Sequence, residues 1–134
     1  MNSTEKFLKE HWFIQRSIGH MMLDLSSAQA AEAQFLARQA EGGVPGEADR
    51  LFAMQRRAEV MAIEARLDEA RSMLARIETA LKQAGLSEQE RQYVRLRYFE
   101  NRSAEAVSQR MYVSPATAGR IRDRALKKLA PCAG

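Results

Sequence analysis

Apolar residues recur every three or four positions over most of this chain, which is the spacing of one face of an α-helix. The clearest run keeps a strict three-four alternation through Val60, Ile63, Leu67, Ala70, Leu74, Ile77, Leu81 and Ala84. An earlier run follows the same spacing, with interruptions at His11 and Glu32, through Phe7, Ile14, Ile18, Met21, Leu25, Ala28 and Phe35. The two runs predict two long amphipathic helices.

The ends of both helices are marked in the sequence. Asn2 with Glu5 can cap the first helix, which is predicted to run to about residue 40. Gly42-Gly43-Val44-Pro45-Gly46 then breaks it, within a hinge at 41–46. The second helix is predicted to begin near Glu47 and to end at Gly85.

Each predicted helix has nearly forty residues, about 55 Å at 1.5 Å per residue, and such lengths are typical of coiled coils. Two equal helices joined by a short break favour an antiparallel hairpin. Because a hairpin leaves Phe13, Met22, Met54 and Met61 partly exposed, we expect a homodimer. A monomeric bundle with the C-terminal part is the alternative. The residues expected at the oligomer seam are Val60, Ile63, Leu67, Leu74, Ile77 and Leu81.

Shorter elements follow Gly85. A capping box at Ser87 and Glu90 begins a helix over residues 88–99, and Asn101 is expected to end it in the left-handed conformation. Ser103 can cap the next helix, which carries Val107 and Met111 on one face.

The stretch from Tyr112 to Ser114 interrupts that pattern where a tight turn is needed. Ser114 and Pro115 then suit the start of another helix. Its inward stripe is predicted to consist of Ala118, Ile121, Ala125 and Leu129. Two short helices around a tight turn form a helix-turn-helix.

Charge is divided unevenly along the 134 residues. From residue 87 onward there are ten Lys/Arg and five Asp/Glu, a net charge of +5, which leaves −1 for residues 1–86. The basic surface is therefore C-terminal, where the last helix carries arginine and lysine away from its apolar stripe. Double-stranded DNA is the expected partner. An anionic membrane is disfavoured because the residues opposite these charges are mostly alanine.

The run from Leu86 to Leu129, with LSEQERQYVRLRYFEN, SAEAVSQRMYVS and TAGRIRDRALKKL, resembles region 4 of the sigma-70 family of transcription factors. It is also similar to the C-terminal part of phage transcriptional activators of the ArpU and RinA type, in which such a domain follows a helical region. The resemblance implies an all-α fold with a helical hairpin or coiled-coil oligomerisation region at 1–85 and a helix-turn-helix DNA-binding domain at 86–134. It also implies possible contact with RNA polymerase, for which Arg91, Arg95 and Glu100 are candidates. The resemblance further implies a turn in which Tyr112 stands where glycine is usual, so Tyr112 is expected at positive φ with a strain of about 1 kcal/mol or more.

Candidate site residues follow from the geometry of helix-turn-helix proteins, in which the start of the second helix reaches base edges in the major groove. The expected base-reading residues are Ala116, Thr117, Arg120 and Arg124. The residues that flank them and are expected to contact DNA phosphates are Arg97, Arg110, Ser114, Lys127 and Lys128.

Catalytic chemistry is not indicated. His11 and His20 are nine residues apart, which is not metal-ligand spacing on a helix, and the glycines near the hinge lack the lysine of a phosphate-binding loop. Cys132 is the single cysteine and is expected to be a free thiol. We therefore expect no enzyme activity, no metal and no cofactor. We also expect a cytoplasmic location.

The sequence thus predicts a sequence-specific transcription regulator, by its resemblance a phage or prophage gene activator. Two alternatives remain: a sigma-like factor associated with RNA polymerase, and a phage packaging protein similar to terminase small subunits. The second is disfavoured because those subunits usually place the DNA-binding part first. A coiled-coil adaptor is a third possibility, which leaves the basic C-terminal third unexplained.

Overall fold

The computed structural model describes residues 2–42 and 46–133. These form helices α1 (Ser3–Glu41), α2 (Glu47–Gln83), α3 (Glu88–Val94), α4 (Ala104–Arg110) and α5 (Pro115–Leu129), with a π-helical stretch at Arg95–Phe99 that continues α3. The predicted all-α class, long helices followed by a helix-turn-helix, is confirmed. The part of the predicted break at 43–45 lies outside the described residues.

The start of α1 and the end of α2 lie where the sequence predicts them. Asn2 accepts a hydrogen bond from the backbone of Glu5 at 2.8 Å, which satisfies one of the free N–H groups of the first turn of α1. Just after the C-terminus of α2, Gly85 takes a φ of +66°. A residue without a Cβ adopts this conformation without strain, so it suits the C-terminus of a helix.

The described residues form two compact units, of which one comprises residues 17–71. Within it the second half of α1 and the first half of α2 run antiparallel. The ring centroids of Phe35 and Phe52 lie 5.1 Å apart, and Arg57 Nη1 lies 3.7 Å from Glu32 Oε1. Its buried apolar side chains are few and mostly small: Ala28, Val60, Leu67 and Ala70.

The other unit joins residues up to 16 to those from 72 onward, so the first turns of α1 lie in the same unit as the helix-turn-helix. Its main core includes Leu8 from α1 and Ile77 from α2 beside residues of the three short helices. The division predicted at residue 85 stays a prediction.

Side chains of α1 contact the π-helical stretch and α2. The imidazole of His11 stacks on Phe99 with ring centroids 3.7 Å apart, and its Nε2 lies 3.2 Å from Glu78. The hydroxyl of Tyr98 donates to Glu5 at 2.8 Å. His11 is therefore buried, while His20 is exposed.

The helix predicted over 88–99 differs in its second half. From Arg95 the turns widen, and the N–H of Glu100 bonds to the carbonyl of Arg95. Leu96, Tyr98 and Phe99 are all buried in this stretch. The widened turn thus buries three apolar side chains within four successive positions. The chain then leaves the helix at Asn101, whose φ is +57° as predicted.

Candidate nucleic-acid interface

The helix-turn-helix is built by two serine caps. Ser103 accepts a hydrogen bond from the backbone of Ala106 at 3.1 Å, and Ser114 accepts one from Thr117 at 3.1 Å. Pro115 occupies the first turn of α5. Because each cap fixes where its helix starts, the caps also fix which side chains α5 directs to the core.

That core is confirmed. The predicted inward stripe is buried throughout, with exposures of 4% or less, at Ala118, Ile121, Ala125 and Leu129. On α4 the buried residues are Val107 and Ser108, and the Ser108 hydroxyl donates to the carbonyl of Glu105. The polar atom of Ser108 is thereby satisfied inside its own helix.

The turn contains a residue in an unfavourable conformation. Tyr112 has a φ of +58°, as expected, and its side chain is 95% exposed. The next residue, Val113, donates its N–H to the carbonyl of Ser108 at 3.1 Å. The turn is therefore held by backbone bonds, while the ring of Tyr112 contributes little to packing.

The predicted base-reading residues lie together on the outer side of α5. Ala116, Arg120 and Arg124 are exposed, and Thr117 is half-buried. Thr117 Oγ1 accepts hydrogen bonds from the Ser114 hydroxyl at 2.9 Å and from Arg120 Nη2 at 3.3 Å. This chain of bonds draws the Arg120 guanidinium toward the N-terminus of α5.

Three of the five residues predicted to contact phosphate lie near the two ends of α5. Arg110 and Ser114 lie beside the turn, whereas Lys127 lies in the last turn of α5, about 20 Å further at 1.5 Å per residue. Lys127 and Arg110 are exposed.

The remaining two candidates have internal partners. Arg97 is half-buried and donates to the carbonyl of Arg102 at 2.9 Å. Lys128 donates to Glu90 at 2.6 Å. Both side chains therefore help to hold the fold, and their contact with phosphate stays a prediction.

Glu90 has a second role, as the partner of Lys128, that the sequence did not reveal. It is 2% exposed and completes the capping box with Ser87, to whose backbone N–H it bonds at 2.8 Å. Burial raises the pKa of Glu90, but the hydrogen bonds from Lys128 and Ser87 outweigh burial and leave the pKa below its usual range. Spacing identified the local cap, but it carries no signal for a partner 38 residues away.

Arginine 122 also has a local partner. Its guanidinium donates twice to Asp123, at 3.0 and 3.2 Å. The hydrogen bond to Asp123 raises the pKa of Arg122. This arginine therefore differs from its exposed neighbour Arg120 in bearing its own counter-charge.

Two tyrosines beside this helix lie in the core. Burial raises the pKa of Tyr93, and burial together with the bond to Glu5 raises that of Tyr98. Both phenols are accordingly neutral at physiological pH, so they act as apolar and hydrogen-bonding groups.

The residues predicted to form the oligomer seam are buried or half-buried within a single chain. Val60, Leu67, Ile77 and Leu81 are buried, and Ile63 and Leu74 are half-buried. Their contribution to an interface between chains stays a prediction.

Over residues 2–42 and 46–133, no group of three or more His, Cys, Asp or Glu side chains could hold a metal ion. None of the helices in that part of the chain is long and apolar enough to span a bilayer. Cys132 is a half-buried free thiol.

Comparison with known proteins identifies the C-terminal third. Residues 84–130 match the family model described as Sigma-70, region 4. The match spans α3, the π-helical stretch, α4 and α5, and it confirms the predicted resemblance for this helix-turn-helix. Neither a curated protein nor a solved structure matches the chain.

Proposed function

We propose that this protein is a sequence-specific regulator of transcription that binds double-stranded DNA with α5 in the major groove. The observation that carries the proposal is the two-sided character of α5. One side is buried at Ala118, Ile121, Ala125 and Leu129, and the other exposes Ala116, Arg120 and Arg124. A helix so arranged is anchored along its whole length while its basic side remains accessible.

Arg120 is the side chain best placed to read a base. Its guanidinium bonds to Thr117 at 3.3 Å, beside the N-terminus of α5, which in helix-turn-helix proteins is the end closest to base edges. Two parallel guanidinium N–H groups match the O6 and N7 acceptors of guanine. A guanine contact through Arg120 is therefore part of the proposal.

Phosphate contacts are assigned to both ends of α5. Ser114 and Arg110 lie at the turn, and Lys127 lies in the last turn of the helix. Contacts separated by about 20 Å can fix the register of α5 along a groove without reading sequence. The net charge of +5 from residue 87 onward supports this polyanion-binding surface.

The finer assignment, a phage or prophage gene activator that self-associates, rests on the sequence resemblance and on the long helices. A homodimer would present two helix-turn-helix units to two half-sites. The apolar side chains expected to need a second copy are indeed exposed, at Phe13, Met22, Met54 and Met61.

A second candidate is a sigma-like factor that contacts RNA polymerase. The observation that favours it is a shallow depression on α3 and the π-helical stretch, lined by Arg91, Arg95 and Glu100 around Leu96. A depression with an apolar floor and charged edges is the kind of surface that a protein partner uses.

Selection of bound fragments from a random DNA pool tests the proposal. The full-length protein should enrich a short motif, and Arg120→Ala should enrich one with a relaxed position. Arg122→Ala is the matched control, because Arg122 lies on the same helix but bonds to Asp123. Recovery of unenriched DNA by the parent would contradict sequence-specific binding.

A further inference from the structure

A second apolar stripe runs along α2, separate from the seam. Its members are spaced by three, four, three and four residues, and all are exposed: Leu51, Met54, Ala58, Met61 and Ala65. Met61 directly follows the seam residue Val60, and Ala65 lies two positions from both Ile63 and Leu67, so at 100° per residue the stripe lies about 100–200° around the helix from the seam. The first half of α2 therefore has two apolar faces, of which the hairpin covers one.

The unit that contains this stripe buries little. Within residues 17–71 the large buried apolar side chains are Val60 and Leu67. Seven large apolar side chains of the same unit are more than 40% exposed: Met22, Leu23, Leu36, Leu51, Phe52, Met54 and Met61. Three of the seven, Leu51, Met54 and Met61, belong to the stripe, and exposed apolar surface concentrated on one face of a helix marks an interaction site.

The stripe extends onto α1 through a shallow apolar groove. Phe35, Leu36, Ala53 and Met54 line it, and the Glu32–Arg57 pair closes its edge. A groove beside a regularly spaced stripe suits another helix with the same spacing, because the side chains of one helix can enter the gaps of the other.

The charges beside the stripe identify the partner. Arg50 and Arg57 lie toward the start of α2, and Glu64 and Asp68 lie 7 to 18 residues further along the helix. In an antiparallel pair of identical helices, the arginine end of each lies over the carboxylate end of the other. The side chain of Arg57 is 58% exposed despite its contact with Glu32, so it can also reach a carboxylate of a second chain.

We propose that a second copy of this chain packs antiparallel on this face, α2 against α2, and forms the dimer through the outer stripe instead of the seam. This deepens the self-association in the proposed function, whereas DNA binding by a single helix-turn-helix does not depend on it. A two-fold axis satisfies the stripe of both chains with one contact.

The first experiment measures the mass of the full-length protein by light scattering over a range of concentrations. The parent should be a dimer, and Met54→Glu with Met61→Glu should weaken dimerisation at least tenfold with unchanged helical content. Leu23→Glu is the control, because Leu23 and Met54 are both 68% exposed while Leu23 lies on α1. A monomeric parent, or a dimer that tolerates the double variant, would overturn the proposal.

A second experiment tests the charges. Glu64→Arg with Asp68→Arg and, separately, Arg50→Glu with Arg57→Glu should each yield a weakened dimer. A mixture of the two should form heterodimers, because opposite charges then face each other. Failure of the mixture to associate would contradict the antiparallel arrangement. Binding to a single half-site, measured in parallel, should be unchanged in every variant, so that failure of this interface is distinguished from failure of the proposed function.

Discussion

The ammonium of Lys128, in the last turn of α5, donates to the buried carboxylate of Glu90 at 2.6 Å. Glu90 is 2% exposed and also completes the capping box of α3, whose N-cap residue is Ser87. A single carboxylate thus closes the first turn of α3 and ties the end of the proposed recognition helix to it. This bond joins the fold of the domain to the direction in which α5 presents its basic side.

Replacement of Lys128 should therefore affect stability, whereas replacement of Lys127 should not. Lys128→Ala leaves a buried charge without its partner, and we expect a loss of about 1–3 kcal/mol in the free energy of unfolding. Lys127→Ala, at an exposed position, should stay within about 0.5 kcal/mol of the parent. Urea denaturation compares the two. Equal stability of both variants would show that the Glu90–Lys128 bond contributes nothing.

The same two lysines are expected to contribute to the salt dependence of DNA binding. An ammonium has three donors, and Glu90 uses one of those of Lys128. Removal of both lysines should lower the slope of log K against log salt by about two units and weaken binding to all sequences. Titrations at several salt concentrations give the slope. A slope equal to that of the parent would place both side chains outside the DNA contact.

Arg120→Ala should weaken binding to the selected site by about 1–3 kcal/mol and relax preference at one base position. The reason is the loss of a bidentate contact to guanine from a side chain that Thr117 positions. Titrations of the selected motif and of single-base variants measure both effects, with Arg122→Ala as the control. A variant with the affinity and motif of the parent would remove Arg120 from the reading surface.

Local signals in the sequence predicted the helices well. Caps at Asn2, Ser87, Ser103 and Ser114, and left-handed residues at Gly85 and Asn101, are all found where the pattern places them. These features depend on residues within four positions of each other, so a single sequence reveals them. The inward stripe of α5 follows from the same helical spacing.

Contacts between distant residues could not be predicted in this way. The Glu90–Lys128 bond, the stacking of His11 on Phe99 and the bond from Tyr98 to Glu5 join positions 38 to 93 residues apart. Spacing shows that His11 interrupts an apolar series, but it does not identify the ring on which His11 stacks.

The strain at Tyr112 can be tested through stability. Its φ of +58° costs about 1 kcal/mol or more in a tyrosine, and its ring is 95% exposed. Tyr112→Gly should therefore raise the free energy of unfolding by up to about 1 kcal/mol, because relief of strain exceeds the lost contacts. Tyr112→Ala is the control, since alanine removes the ring and keeps the strain. A glycine variant no more stable than the alanine variant would show that the turn is unstrained.

His11 should make stability depend on pH. Burial lowers the pKa of His11 below its ordinary value of 6.5, and this exceeds the opposite effect of the hydrogen bond and charge of Glu78, while the charge of Arg95 adds to the lowering. The unfolded chain then binds a proton at a higher pH than the folded chain does. Stability is fully present above pH 6.5 and is lost as the pH falls through the folded pKa.

His11→Phe keeps a ring against Phe99 and should flatten this dependence between neutral pH and about pH 5. His20→Gln, at an exposed position, should retain it. Thermal unfolding over this pH range measures both. A His11→Phe variant with the same pH dependence as the parent would assign the titration to another group.

Recruitment of RNA polymerase can be separated from DNA binding. Arg91, Arg95 and Glu100 line the depression on α3 and the π-helical stretch, and none of them belongs to α5. If this depression contacts polymerase, replacing the three residues together with alanine should reduce transcription from a bound promoter and leave DNA affinity unchanged. Arg95 also bonds to Glu78 at 3.2 Å, so Glu78→Gln serves as the control for loss of that ion pair. A purified system that reports binding and transcript yield side by side distinguishes the outcomes. Parallel loss of both activities, or repression by the parent protein, would count against recruitment, because in either case the surface would act through DNA binding alone.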